Sequence, residues 1–179
     1  MDAFVNSRLD GFKGIQILEY GTWTWFGEPC STPSGLLKEI KRRFGPYPAP
    51  EHSKLVHVPR NIPGYRDQLI AGARLKSRIM RALLREHDWD MAFVSFGEVH
   101  AGGHYLWHAG DAEFPLQPPR TVVDLGNPLR DVYSAVDEAI GEILEAVGDN
   151  TTAIVLSVDG MGPIAEITAG INKALDGLK

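Results

Sequence analysis

Three of the six histidines in the chain lie close together, at His100, His104 and His108. The apolar run just before them, Met91–Phe96, predicts a buried strand, and Glu98 lies between that run and the first histidine. In open α/β sheets, ligands bind just beyond the carboxyl ends of the strands. Imidazole and carboxylate groups suit Zn²⁺ or another divalent transition ion better than Mg²⁺ or Ca²⁺, which prefer oxygen ligands. The segment therefore predicts a metal site.

The spacing of the histidines leaves a second interpretation open. They could be ordinary histidines of a loop or helix start, bonded to backbone or water. The zinc-protease motif is excluded, because it needs glutamate directly after the first histidine, and Ala101 stands there. If the segment becomes helical after Gly103, His104 and His108 share one face. Spacing alone does not decide between a metal site and a polar turn.

The elements that would position these residues alternate between strands and helices. Strands are predicted at Gly14–Glu19, Met91–Phe96 and Thr152–Ser157, and helices at Leu36–Phe44, Asp67–His87, Asn127–Val147 and from about Pro163 to Leu178. This alternation is typical of an α/β fold with a mostly parallel sheet and helices on both faces. We expect one domain over residues 1–179.

A second polar loop, Asp159–Gly162, follows the fully apolar strand Thr152–Ser157. If the two apolar strands are parallel neighbours, this loop and the histidine segment meet at one edge of the sheet. A transition ion at that edge could activate a water or alcohol nucleophile and neutralise charge on a phosphoryl or sulfuryl oxygen. The predicted chemistry is metal-assisted hydrolysis.

Composition limits the class of protein. The chain has 179 residues and a net charge of −5, which argues against a nucleic-acid surface. Its single cysteine, Cys30, excludes an internal disulfide framework and fits a reducing compartment. No apolar run has the length of a signal peptide core or a membrane span. We therefore expect a cytoplasmic protein that binds neither nucleic acid nor a membrane.

Two motifs and the helix between them carry a family resemblance. FGEVHAGGHYLWH (96–108) and LSVDGMGP (156–163) are separated by the helix VDEAIGEILEAVG (136–148). In this order they resemble the type I phosphodiesterase/nucleotide pyrophosphatase family of the alkaline phosphatase superfamily. The residues that match the family motifs are His100, His104 and Trp107 in the first and Ser157, Gly160 and Met161 in the second.

The resemblance implies an alkaline-phosphatase-like core and a two-metal phosphoester hydrolase, in which a metal-activated Thr or Ser attacks phosphorus. The family's metal-binding Asp on the first strand, its nucleophile and its final metal-binding His have no counterpart in this sequence. Val158 stands where the usual Asp would bind metal, Asp159 where the usual His would, and His100 where Asp is commoner. The resemblance therefore implies an incomplete core, in a truncated or degenerate member.

By this resemblance the metal ligands are His100, His104 and Asp159, with Glu98 and His108 as outer candidates. They suffice for one divalent ion, zinc first and manganese second, and no catalytic residue is assigned. The expected substrate is a small phosphoester. The alternative is an inactive α/β module that binds a companion half-chain or self-associates. A hydrolase without metal is disfavoured, because no Ser, His and Asp set is present.

Overall fold

The structure, a computed structural model, describes residues 14–18, 20–21, 29–49, 61–107 and 126–155. Within these ranges the chain is rich in helix and contains one small sheet. The elements, in chain order, are β1 (Gln16–Leu18), β2 (Cys30–Thr32), α1 (Leu36–Phe44), α2 (Ile62–Glu86), α3 (Glu98–Leu106) and α4 (Pro128–Ala146).

The sheet in the described ranges is a two-stranded antiparallel pair. Gln16 pairs with Thr32, Ile17 with Ser31 and Leu18 with Cys30. β1 lies inside the strand predicted at Gly14–Glu19, whereas no strand was predicted at β2. The mixed, helix-rich architecture is established for these ranges, and the predicted mostly parallel sheet is not confirmed.

The structure does not confirm the two predicted apolar strands. Residues 91–96 and 151–155 form no strand, and Met91 and Phe93 are 76% and 75% exposed. Ile154 and Val155 are 42% and 66% exposed, and residues 156–157 lie outside the described ranges. An apolar segment becomes a buried strand only when a neighbour pairs with its backbone and a layer covers its side chains. The described ranges supply neither to these two segments.

Helix α1 is confirmed with the predicted bounds, Leu36–Phe44. Its buried side chains are Leu37 and Ile40, and it ends at Gly45, where φ is +90°. That backbone conformation suits glycine, which has no β-carbon to clash. The hydroxyl of Tyr20 donates to the carbonyl of Gly45 over 2.8 Å, which ties the end of α1 to the segment after β1.

Helix α2 is the central support of the fold. It begins earlier than the predicted Asp67, because the Asn61 side chain accepts from the backbone N–H of Gly64 over 3.0 Å and Pro63 fits the first turn. One side of α2 packs on α3 and α4 and another on α1, and its largest contact is with α4. None of the helices in the described ranges is long and apolar enough to cross a membrane.

Helix α4 follows the predicted pattern. Asn127 caps it by accepting from the backbone N–H of Arg130 over 2.9 Å, and Pro128 opens the first turn. Its buried face packs on α2 and α3. The residues of that face are Pro128, Val132, Ala135, Val136, Ala139 and Ile143.

The core has two clusters, one on each side of α2. The first joins α2, α3 and α4 and consists of Ala49, Ile62, Tyr65, Leu69, Ala101, Leu106 and Val132. The second joins α1 and α2 and consists of Ile40, Leu75 and Ile79. Full burial of each large aliphatic side chain contributes about 1.5–3 kcal/mol. The first cluster therefore fixes α3, which carries two of the clustered histidines, against α2 and α4.

Candidate metal centre

The histidine segment, for which the sequence left a polar turn open, forms the helix α3 from Glu98 to Leu106. Gly102 is buried, and a β-carbon there would lie 3.1 Å from Cδ1 of Leu129. The missing side chain thus allows α3 to approach α4 closely. The helix begins at Glu98 rather than after Gly103. As a result His100 and His104, four residues apart, lie on one face of α3.

The two imidazole rings meet directly. Nε2 of His100 and Nε2 of His104 are 3.1 Å apart, and the ring centroids are 4.6 Å apart with the planes inclined by 71°. Two nitrogens bound to one tetrahedral zinc ion at about 2.0–2.1 Å are about 3.3 Å apart. The two Nε2 atoms therefore already lie at nearly the separation that a single ion requires. Without an ion, one Nε2 donates a hydrogen bond to the other.

One of the two rings, that of His100, has a lowered pKa because it is partly buried. His100 is half-buried, and this burial lowers its pKa, with the neighbouring His104 lowering it further. His104 is exposed, so the pair is open to solvent on one side. Metal ions bind the deprotonated imidazole nitrogen, so a lowered pKa favours the metal-binding form at neutral pH.

Glu98 lies elsewhere on α3. At about 100° per residue, it is turned about 200° from His100 and about 240° from His104 around the helix axis. Its side chain is 0% exposed and accepts hydrogen bonds from the Tyr47 hydroxyl at 2.6 Å and from Lys76 Nζ at 3.1 Å. These two partners were not found from the sequence. Lys76 belongs to a basic stretch of α2 whose ordinary interpretation is a solvated face.

The other predicted ligands are not placed. Asp159 and His108 lie outside the described residues. Within the described ranges, no group of three or more His, Cys, Asp or Glu side chains could hold a metal ion. The structure thus brings together His100 and His104 and leaves any third ligand to other parts of the chain or to solvent.

A sequence model of the type I phosphodiesterase/nucleotide pyrophosphatase family matches residues 22–176. The chain belongs to this family. The match includes α3 and the LSVDGMGP segment, so the family predicted from the two motifs is confirmed. No curated protein and no solved structure gave a match.

Membership of the type I phosphodiesterase/nucleotide pyrophosphatase family defines the chemistry at the level of the class. The family comprises phosphodiester and nucleotide pyrophosphate hydrolases that are generally metal-dependent, and it implies an alkaline-phosphatase-like α/β fold. A facing pair of imidazoles in α3 agrees with the donor groups that such a metal site needs.

Proposed function

We propose that this chain binds a divalent transition ion, zinc first and manganese second, through His100, His104 and Asp159, and that the ion serves phosphoester hydrolysis. The 3.1 Å separation of the two Nε2 atoms is the observation that carries the proposal. One of the two histidines is open to solvent, so a small phosphoester could reach an ion held there. His108 remains an outer candidate, whereas Glu98, which is buried and bonded to Lys76 on another side of α3, is not part of the proposed metal site.

The residues present fit one ion better than two. A bound ion would supply charge neutralisation at a phosphoryl oxygen and a more acidic bound water or alcohol. This chain's own residues would hold the two imidazoles close together and partly exposed. We assign no nucleophile, because the sequence offers no Thr or Ser in the family's position. The proposal therefore claims a metal-binding half of the catalytic site.

The proposal includes the placement of the two polar segments. We infer that residues 91–96 and 152–157 pair as neighbouring parallel strands in the alkaline-phosphatase-like core that the family implies. Such pairing would bring Asp159 to the sheet edge from which α3 begins. The fully apolar composition of both segments, which is typical of central parallel strands, supports this inference.

Thermal unfolding of the metal-stripped chain tests the metal proposal. Added Zn²⁺ should raise the unfolding temperature, since a ligand that binds only the folded state stabilises it. His104→Ala should abolish the rise, whereas His87→Ala, which removes a histidine beyond the end of α2, should leave it intact. No shift of the wild-type protein with Zn²⁺ or Mn²⁺ would rule the site out. Hydrolysis of bis(4-nitrophenyl) phosphate with each ion tests the activity separately.

A second candidate function is an inactive module that binds a companion chain or a second copy of itself. The exposure of Met91, Phe93 and Val155 favours it, because large apolar side chains are exposed along two segments that form neither helix nor strand. Light scattering at increasing concentration should then show self-association, and an apolar dye should bind. A clean monomer that binds no dye would exclude this candidate.

A further inference from the structure

A buried polar cluster lies against the first turn of α3, away from the histidine pair. It consists of Glu98, Lys76 and Tyr47, and we call it the Glu98 cluster. Lys76 Nζ is 3.0 Å from Oε1 and 3.1 Å from Oε2 of Glu98, and the Tyr47 hydroxyl donates to Oε1 over 2.6 Å. Glu98 is 0% exposed and the Lys76 side chain is 12% exposed. The carboxylate thus receives two donors and one compensating charge.

Lys76 also contacts the residues that precede α3. Its Nζ donates to the backbone carbonyl of Ser95 over 3.0 Å, and it lies 5.7 Å and 5.9 Å from the ring centroids of Tyr47 and Phe96. One ammonium group therefore ties two points, Ser95 before the helix and Glu98 at its start, to the middle of α2. These bonds are directional, so they fix the helix start in orientation as well as in position.

The apolar contacts of α3 restrain its rotation less. Ala101 and Leu106 pack in the apolar cluster with α2 and α4, and apolar contacts are non-directional. Gly102 permits close approach to α4 but adds no bond. A helix held by such contacts alone can turn or slide slightly about its axis. The rotation of α3 decides where the rings of His100 and His104 point.

We propose that the Glu98 cluster is a positioning device that sets the rotation of α3 and so keeps the two Nε2 atoms of His100 and His104 convergent. Glu98, Lys76 and Tyr47 are positioning residues in this proposal, since they act through the helix. The inference rests on the proposed metal-binding function of the pair. It adds residues from α2 and from the segment after α1 to the machinery of the site.

The decisive variant is the double substitution Lys76→Met and Glu98→Leu. Replacing a buried ion pair by apolar side chains of similar volume is often neutral or stabilising, so this variant keeps the fold while removing the directional bonds. The variant also removes the bonds of the Tyr47 hydroxyl and the Ser95 carbonyl, so its unfolding temperature should fall by a few degrees. Its Zn²⁺ affinity should fall about tenfold, the lower end of outer-shell effects on metal sites. Glu98→Gln alone should weaken zinc binding as well, but it also leaves Lys76 without its counter-charge.

Glu142→Gln is the matched control. Glu142 accepts from Ser77 over 2.7 Å and from Arg81 over 3.0 Å, so this variant weakens polar contacts between α2 and α4 without touching the Glu98 cluster. It should bind Zn²⁺ as tightly as the wild type. If the double variant also binds Zn²⁺ with wild-type affinity, the positioning proposal is overturned and the metal proposal stands.

A metal-free readout separates the two proposals. Long-range ¹H–¹⁵N spectra of the histidine rings report which nitrogen carries the proton in each ring. In the wild type, the Nε2 to Nε2 hydrogen bond should give two different tautomers, and the double variant should give averaged rings. If the wild type binds no zinc, the metal proposal fails, but the tautomer comparison still tests the positioning proposal. Unchanged tautomers in the double variant would overturn the positioning proposal, and averaged rings would support it.

Discussion

The Tyr47 hydroxyl lies so close to Gly72 on α2 that a β-carbon added to Gly72 would be 2.5 Å from the hydroxyl oxygen. Only glycine therefore fits at position 72 beside Tyr47, although glycine in the middle of a helix otherwise destabilises the helix. The same hydroxyl donates to the buried carboxylate of Glu98. The close approach of Tyr47 to α2 thus places a donor at the start of α3.

Replacing Gly72 by alanine should destabilise the protein. The added methyl group would displace the stiff, half-buried Tyr47 ring and stretch its hydrogen bond to Glu98. Overpacking of this kind costs about 1–3 kcal/mol, which exceeds the gain of about 1 kcal/mol that alanine brings to a helix interior. Urea unfolding gives the free energy of unfolding directly.

Gly141→Ala in α4 is the control for this prediction. Within the part of the chain that the structure describes, no atom lies within 4 Å of the position that a β-carbon on Gly141 would take, apart from the chain neighbours and the helix's own backbone. This variant should raise the free energy of unfolding by about 0.5–1 kcal/mol. Equal effects of the two alanine substitutions would show that Tyr47 does not occupy the space beside Gly72.

Removing the side-chain hydroxyl should affect stability differently at Tyr65 and at Tyr47. The Tyr65 hydroxyl is buried and has no hydrogen-bond partner within the described ranges. Tyr65→Phe should therefore leave stability unchanged or raise it by about 1 kcal/mol, since an unsatisfied buried donor is removed. Tyr47→Phe removes a bond to a charged group and should cost about 1.5–3 kcal/mol. A large loss in Tyr65→Phe would indicate a partner for that hydroxyl.

Stability should depend on the protonation of His100. Its pKa is lowered in the folded protein, by burial first and by His104 second. Between the folded pKa and the unfolded value of about 6.5, the unfolded chain binds more protons, so the free energy of unfolding falls as the pH drops through that window. In the presence of a chelator, the loss between pH 7.5 and 5.5 should be smaller in His100→Gln. An identical loss of stability in the wild type and in His100→Gln would show that His100 does not contribute to the pH dependence.

Local rules predicted the helices well. The periodicity of α1, the N-cap Asn127 and the first-turn Pro128 all describe what the structure shows, because capping and amphipathicity depend on neighbours in sequence. The early start of α2 was missed, because the predicted helix began at Asp67 and left Pro63 outside its first turn. The resulting error affects the bounds of that helix and not its existence.

The strands and α3 depended on contacts that the sequence does not show. The apolar run 91–96 predicted a strand, yet pairing needs a neighbour. The sequence analysis considered a helix only after Gly103, whereas in the structure Gly102 lies inside α3 and lets the helix pack against Leu129. For the candidate site, His100 and His104 were found from their spacing. Lys76 was missed, since nothing near it in sequence indicates the buried carboxylate that it pairs with.

The most direct test of the metal site is the X-ray absorption spectrum of the zinc-loaded chain at the zinc edge. If His100 and His104 bind the ion, the spectrum should show imidazole scattering from two histidine ligands, with nitrogens at about 2.0–2.1 Å from the ion. That scattering should disappear in the double variant His100→Ala and His104→Ala. A wild-type spectrum without imidazole ligands, or one that the double variant reproduces, would contradict zinc binding by His100 and His104.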